Sequence, residues 1–216
     1  MLNVADPKLR MKKKINALIA ISLEELNEGS RVFQENEPRD VMYKTATFLV
    51  DHFWGKSKEM ADGLGVLLLT WNQSFYRFGS LDFSALENCL TTYQSELCQF
   101  RERNILSYTE NDDKAIENLY DQFLIALQFA DGKSKGKKSP VAVAKALHLL
   151  APNFFPLWDN KISKKYNCCY NYISFIREMK RLAEELTPGL NLQKTNKTFL
   201  KLIDEYNYAK YTKFWI

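Results

Sequence analysis

A chain of 216 residues, 46% hydrophobic and 26% charged, has the composition of a globular protein with a sizeable core, which excludes a disordered or fibrous class. No window approaches the roughly 18 uninterrupted apolar residues of a membrane span, and 8 glycines with 6 prolines leave little for long loops. The net charge of +4 conceals an asymmetry: eight lysines (Lys133, Lys135, Lys137, Lys138, Lys145, Lys161, Lys164, Lys165) less one aspartate, Asp159, put +7 between Gly132 and Tyr166, against 22 basic and 25 acidic residues elsewhere.

The predicted elements are helical almost throughout. Ile15, Leu18, Ile19, Leu23 and Leu26 follow the i, i+3, i+4 rule, with Gly29 as the expected stop. Lys12, Lys13 and Lys14 before an apolar stretch resemble a secretory leader. The run is short, though, and Glu24 and Glu25 follow it with no cleavage site, so it reads as an amphipathic helix. Pro38 is placed to open a second helix running through Phe48 and Leu49 to Gly55. Lys58 to Phe78 is predicted as a third, closed by Gly79. Asp82 caps a fourth, whose stripe is Leu86, Leu90, Tyr93, Leu97 and Phe100. Asp113 to Phe129 follows, stopped by Gly132.

After the lysine-rich loop, Ser139 and Pro140 make an N-cap and first-position pair, and that helix is expected to end near Ala151. A short connection leads to a helix beginning around Asp159. Tyr172 to Leu186 and Thr198 to about Lys213 complete the chain, the tail with Phe214 and Trp215 reading as a docking segment. No convincing period-2 alternation occurs. The expected fold is all-α, an orthogonal bundle of about 8–10 helices. It reads as a single domain over 1–216, in which lobes of about 1–131 and 132–216 flank a cleft.

Cys89, Cys98, Cys168 and Cys169 form no CxxC pair, so neither a zinc site nor a disulfide framework is indicated, and the expected compartment is a reducing cytoplasm. No cofactor, metal or membrane partner is indicated. The +7 segment points to an anionic partner such as nucleic acid, with Lys133, Lys135, Lys137, Lys138, Lys161, Lys164 and Lys165 as backbone contacts. A solubilising loop explains the same lysines.

The helix from Ser139 to Ala151 is apolar in nearly every direction except at Lys145 and His148, which share one face. A buried helix with a polar seam requires partners for that seam. In one account Lys145 snorkels to the surface while His148 bonds a backbone carbonyl. In the other the seam faces a cleft, where desolvation shifts both groups toward useful chemistry. Asp159 fits a helix cap, and equally a carboxylate that stabilises a developing cation on a sugar. Trp71, Asn72, Gln73, Tyr76 and Arg77 sit on one helical stretch, where an amide can read a base edge and a ring can stack on it. Such residues also form interior networks. Tyr166, Tyr170 and Tyr172 beside lysines suit base stacking or plain packing.

The order of basic loop, short apolar helix with a lysine, proline-containing connection and apolar–Asp–x–x–apolar string resembles the helix-hairpin-helix DNA glycosylase superfamily. LWDNKI (Leu157–Ile162) is similar to that family's aspartate string, and SPVAVAKAL (Ser139–Leu147) to its hairpin-and-lysine segment. The resemblance implies a glycosylase-like bundle, DNA as partner and base excision as activity. Asp159 would be the catalytic carboxylate and Lys145 the attacking amine. His148, Trp158, Asn72, Gln73 and Tyr76 are expected at the substrate on the chemistry of their side chains, not on the resemblance. Where the family has Gly-x-Gly the chain has Val141 and Val143.

Three functions compete on these residues. One is a nucleic-acid-binding protein of glycosylase-like architecture, with or without excision. Another is a non-catalytic all-helical interaction or regulatory protein in which Asp159 is only a cap. The third is a small-molecule enzyme built on a closed pocket around Lys145 and His148.

Overall fold

The structure, a computed structural model, describes residues 19–190 and 197–216. Among these the chain is helical, with no strand and one isolated bridge between Leu81 and Phe129. Among the described residues no helix is long and apolar enough to cross a membrane. Ile15 and Leu18 of the expected first helix lie outside the described residues.

Helix α1 (Leu23–Asn36) opens on a capping box, Ser22 accepting from Glu25 N–H while the Glu25 carboxylate accepts from Ser22 N–H. Gly29 does not stop it. A Cβ at Gly29 would lie 2.8 Å from Tyr206 Cα, so glycine serves here as the place where two helix backbones meet. Pro38 does not open α2 (Val41–His52) either. The preceding residue, Asp40, takes a left-handed backbone (φ 41°) and makes no side-chain cap, which turns its carboxylate to another partner.

The predicted Lys58–Phe78 helix is two: α3 (Ser57–Trp71) and the single turn α4 (Gln73–Tyr76), broken at Asn72. Asp82 caps α5 (Phe83–Thr92) through Ala85 N–H at 3.0 Å, and the chain kinks at Tyr93 before α6 (Gln94–Arg101). Two 3₁₀ turns that the periodicity does not announce, Ile105–Ser107 and Glu110–Asp112, precede α7 (Asp113–Ala126).

The lysine-rich loop between α7 and α8 (Pro140–Leu150) turns on Gly132 and Gly136, both with positive φ. Phe129 N–H donates to Lys137 O and Gly136 N–H to Phe129 O, each at 2.9 Å. Ser139 and Pro140 begin α8 as expected, and Asp159 caps the short α9 (Asn160–Lys165). Helix α10 (Tyr172–Leu186) ends in a 3₁₀ turn at Thr187–Gly189. After α11 (Phe199–Asn207) the chain widens into a π-turn over Tyr208–Lys213, whose residues pack on α1 and α9. That turn docks, but Phe214 stays 73% exposed.

Buried hydrophobic residues from Leu26 to Tyr206 form one cluster, so the segments before and after residue 131 share a core. Helix α8 lies within it, all its residues buried except the half-buried Pro140, Val141 and Lys145. The four cysteines are unbridged.

Candidate functional site

A helix buried on nearly every side must find partners for its polar atoms. His148, fully buried, is held between the Phe155 carbonyl, 2.8 Å from Nδ1, and the Tyr43 hydroxyl, 2.9 Å from Nε2. Since a carbonyl can only accept, Nδ1 carries the proton and Nε2 receives the tyrosine O–H. Burial pushes the imidazole down to about 3, so the ring is neutral and both its nitrogens are engaged.

Lys145, one turn earlier, is half-buried. Its Nζ donates to the Trp71 carbonyl at 2.8 Å and to Asn72 Oδ1 at 3.3 Å. Asn72 in turn donates to Oγ of Ser139, the α8 cap, at 3.0 Å. The break between α3 and α4 is thereby joined to α8 at two heights. Burial lowers the Lys145 amine to about 8, against the opposing pull of Asp204 and Asp159.

Lys145 forms part of the wall of a cavity of about 440 Å³, in the size range of small-ligand sites. Phe33, Trp71, Trp158 and Tyr208 supply aromatic faces, and Leu157, Ile162 and Thr70 fill between them. Four carboxyls complete the lining: Glu37, Asp40, Asp159 and Asp204. Asp159 divides its two oxygens. Oδ1 accepts from Lys161 N–H at 2.7 Å and Ile162 N–H at 2.8 Å, which is the helix cap, while Oδ2 has a long contact of 3.4 Å with the Thr212 hydroxyl.

Beneath the cavity lies Lys201, 3% exposed. Its Nζ is 3.0 Å from Asp40 Oδ2 and stands over the rings of Tyr43, Phe33 and Trp71 at 4.3, 4.8 and 5.4 Å. This contact is where the left-handed Asp40 directs its carboxylate. The Trp158 indole N–H is buried with no acceptor among the described residues, an unmet donor that costs on the order of 1–3 kcal/mol in a cavity wall.

Of the residues singled out from the sequence, Trp71, Lys145, Trp158 and Asp159 meet at this cavity. His148 and Asn72 lie behind it as supports. Tyr76 donates to the Leu127 carbonyl at 2.9 Å, and Gln73 is exposed; neither lines the cavity. Tyr166 and Tyr172 are buried, bonded to Asn207 and the Pro156 carbonyl, while Tyr170 is 77% exposed. Lys133, Lys135, Lys137 and Lys138 are exposed on a loop tied to the Ser80 region through Ala130 N–H and Asp131. Lys161, Lys164 and Lys165 are exposed on α9, where Lys165 Nζ stands 5.8 Å from the Tyr211 ring centroid. No lysine of either group lines the cavity.

Sequence reasoning missed Asp40, Lys201 and Asp204. One signal was present: Lys201, Asp204 and Glu205 interrupt an apolar helix at i, i+3 and i+4, as Lys145 and His148 interrupt α8. Among the described residues no group of three or more His, Cys, Asp or Glu is arranged to hold a metal ion. No family model matches the chain, and no curated protein and no solved structure matches it either.

Proposed function

We propose that this chain binds DNA in a glycosylase-like manner, taking a single extruded base into the aromatic-walled cavity, with Asp159 as the carboxylate beside the sugar and Lys145 as an amine within the same space. The observation that carries this is the meeting of Lys145 and Asp159, 14 positions apart in sequence, at one cavity of ligand size.

Other features support it. Trp71, Trp158 and Tyr208 offer faces on which a base can stack. Capping leaves Asp159 fixed in position with Oδ2 lightly engaged, so the cap and the catalytic role are compatible. An amine lowered to about 8 is a better nucleophile at neutral pH than an ordinary lysine. Helix α7, the lysine loop with its two left-handed glycines, and α8 follow one another in the order of a helix, a hairpin and a helix. Gly132 and Gly136 turn the loop upstream of α8, while the positions that match the family's hairpin glycines remain Val141 and Val143.

The test is incubation with duplexes each carrying one damaged base, scored by strand cleavage after alkali, with wild type, Asp159→Asn and Lys145→Gln. Excision that disappears in Asp159→Asn is expected. Borohydride trapping of a DNA adduct in wild type and its absence in Lys145→Gln reports the lysine. Failure of wild type both to excise any base and to bind duplex in a salt-dependent way ends the proposal.

The non-catalytic alternative draws on a different observation. Lys145 and Asp159 each already have structural partners, and the loop lysines stand apart from the cavity. It predicts duplex binding or protein association without excision.

A further inference from the structure

We propose that Asp204 is the proton-carrying acid of the cavity, dividing the work with Asp159, an assignment that rests on the glycosidic chemistry proposed above. The two carboxyls line one cavity but are held in opposite ways. Asp159 is fixed by two backbone N–H donors. Asp204, its side chain 13% exposed, receives no hydrogen bond among the described residues. Lys201, one turn earlier on α11, stands 3.9 Å from Asp204 and makes its closer contact with Asp40.

The charged and titratable groups facing Asp204 include three carboxyls. Glu205 is beside it on α11, Asp40 comes from the start of α2, and Asp159 from the start of α9. Lys145 on α8 and the Tyr43 hydroxyl on α2 also feel its charge. A carboxyl largely shielded from water, with no donor among the described residues and with like charges around it, favours its neutral form. Burial raises Asp204 most; Lys201 opposes, Glu205, Asp159 and Asp40 add, and the carboxyl rests at about 7. Paired carboxyls whose surroundings differ in this way divide acid and base roles between them.

In the step, the Asp204 carboxyl gives its proton to a ring nitrogen of the departing base as the glycosidic C–N bond breaks and its electron pair leaves with the base. Asp159 faces the positive charge left on the sugar carbon. The Lys145 amine, or water in its place, then adds to that carbon and gives up one proton to Asp204, leaving a free base, a new C–N or C–O bond at the sugar carbon and the acid restored.

The experiment is single-turnover excision from pH 5.5 to 9 by wild type, Asp204→Asn and Asp159→Asn, with thermal unfolding of each. Wild-type rates are expected to fall about tenfold per pH unit above neutrality, as the acid loses its proton. Asp204→Asn is expected to be roughly 10²–10⁴-fold slower and to lack that limb. Wild-type rate and limb in Asp204→Asn, with Asp159→Asn inactive, overturn the acid role and leave the glycosidic function standing. No excision by wild type overturns the acid role together with the glycosidic chemistry it rests on, and leaves only duplex binding to be judged. Should Asp204→Asn not fold, a ¹³C-carboxyl titration of the wild-type protein decides. A carboxyl titrating near neutrality, assigned to Asp204, supports the proposal, and one titrating in the ordinary aspartate range overturns it.

Discussion

Lys145 donates to the Trp71 carbonyl at 2.8 Å, binding the break between α3 and α4 to the buried helix α8. The same residue lines the cavity, so under the proposed function one side chain serves stability and chemistry together. Lys145→Met removes the donor and leaves the Trp71 carbonyl and Asn72 Oδ1 underbonded in a largely buried place. A loss of about 1–3 kcal/mol is expected, read by urea unfolding. A loss well under 0.5 kcal/mol contradicts the structural half of this role.

Asp159 separates cap from charge by substitution. Asp159→Asn keeps an oxygen for Lys161 N–H and Ile162 N–H and is expected to cost well under 1 kcal/mol, whereas Asp159→Ala costs about 0.5–2 kcal/mol. Excision is expected to be lost in both. Equal activity of Asp159→Asn and wild type confines this residue to capping.

Gly29 tests the meeting of α1 and α11. The Cβ of Gly29→Ala would lie 2.8 Å from Tyr206 Cα, a backbone atom that can move only with its helix. The expected cost is about 1–3 kcal/mol in thermal unfolding. Because α11 also carries Lys201 and Asp204, ligand affinity at the cavity falls with it.

Asp204 and His148 leave opposite marks on stability against pH. The folded state raises Asp204 from the ordinary range to about 7, so between those values it holds a proton that the unfolded chain releases, and stability from this group falls as pH rises. His148 is lowered to about 3, so in the window from there to its ordinary value near 6.5 the unfolded chain takes the proton, and stability rises with pH. Asp204→Asn removes the falling contribution. Its melting temperature is therefore expected to climb more steeply than that of wild type between about pH 4 and 6.5. Parallel curves contradict the placement of Asp204.

The loop lysines predict a salt effect. If Lys133, Lys135, Lys137 and Lys138 neutralise phosphates, replacing all four with serine lowers the slope of log affinity against log salt by roughly one for each phosphate no longer neutralised. Filter binding or anisotropy over a salt series measures it. The cavity residues are untouched by these changes, so an altered base preference is not expected.

Caps are legible because they are local: Asp82, Ser139 and Asp159 stand next to the helices they start. Glycine is less legible. Gly132 and Gly136 turn the loop as their type suggests, yet Gly29 sits inside a helix, because what it answers to is Tyr206, 177 positions away. The seam on α8 is visible as two polar residues on an apolar wheel, and its partners are not. Trp71, Tyr43 and Phe155 belong to other parts of the chain.

By itself, then, the sequence determined an all-helical chain, the caps at Asp82, Ser139 and Asp159, the buried helix with its Lys145–His148 seam, and the lysine-rich stretch beside Asp159. Periodicity and capping depend on neighbours within a turn or two, which any stretch of sequence carries in full. Only the tertiary structure decided that His148 is sealed while Lys145 meets a cavity, and that Asp40, Asp159 and Asp204 face one another there. Burial and the clustering of like charges arise when distant segments pack, and those two effects, rather than residue type, separate Asp204 from the chain's other aspartates.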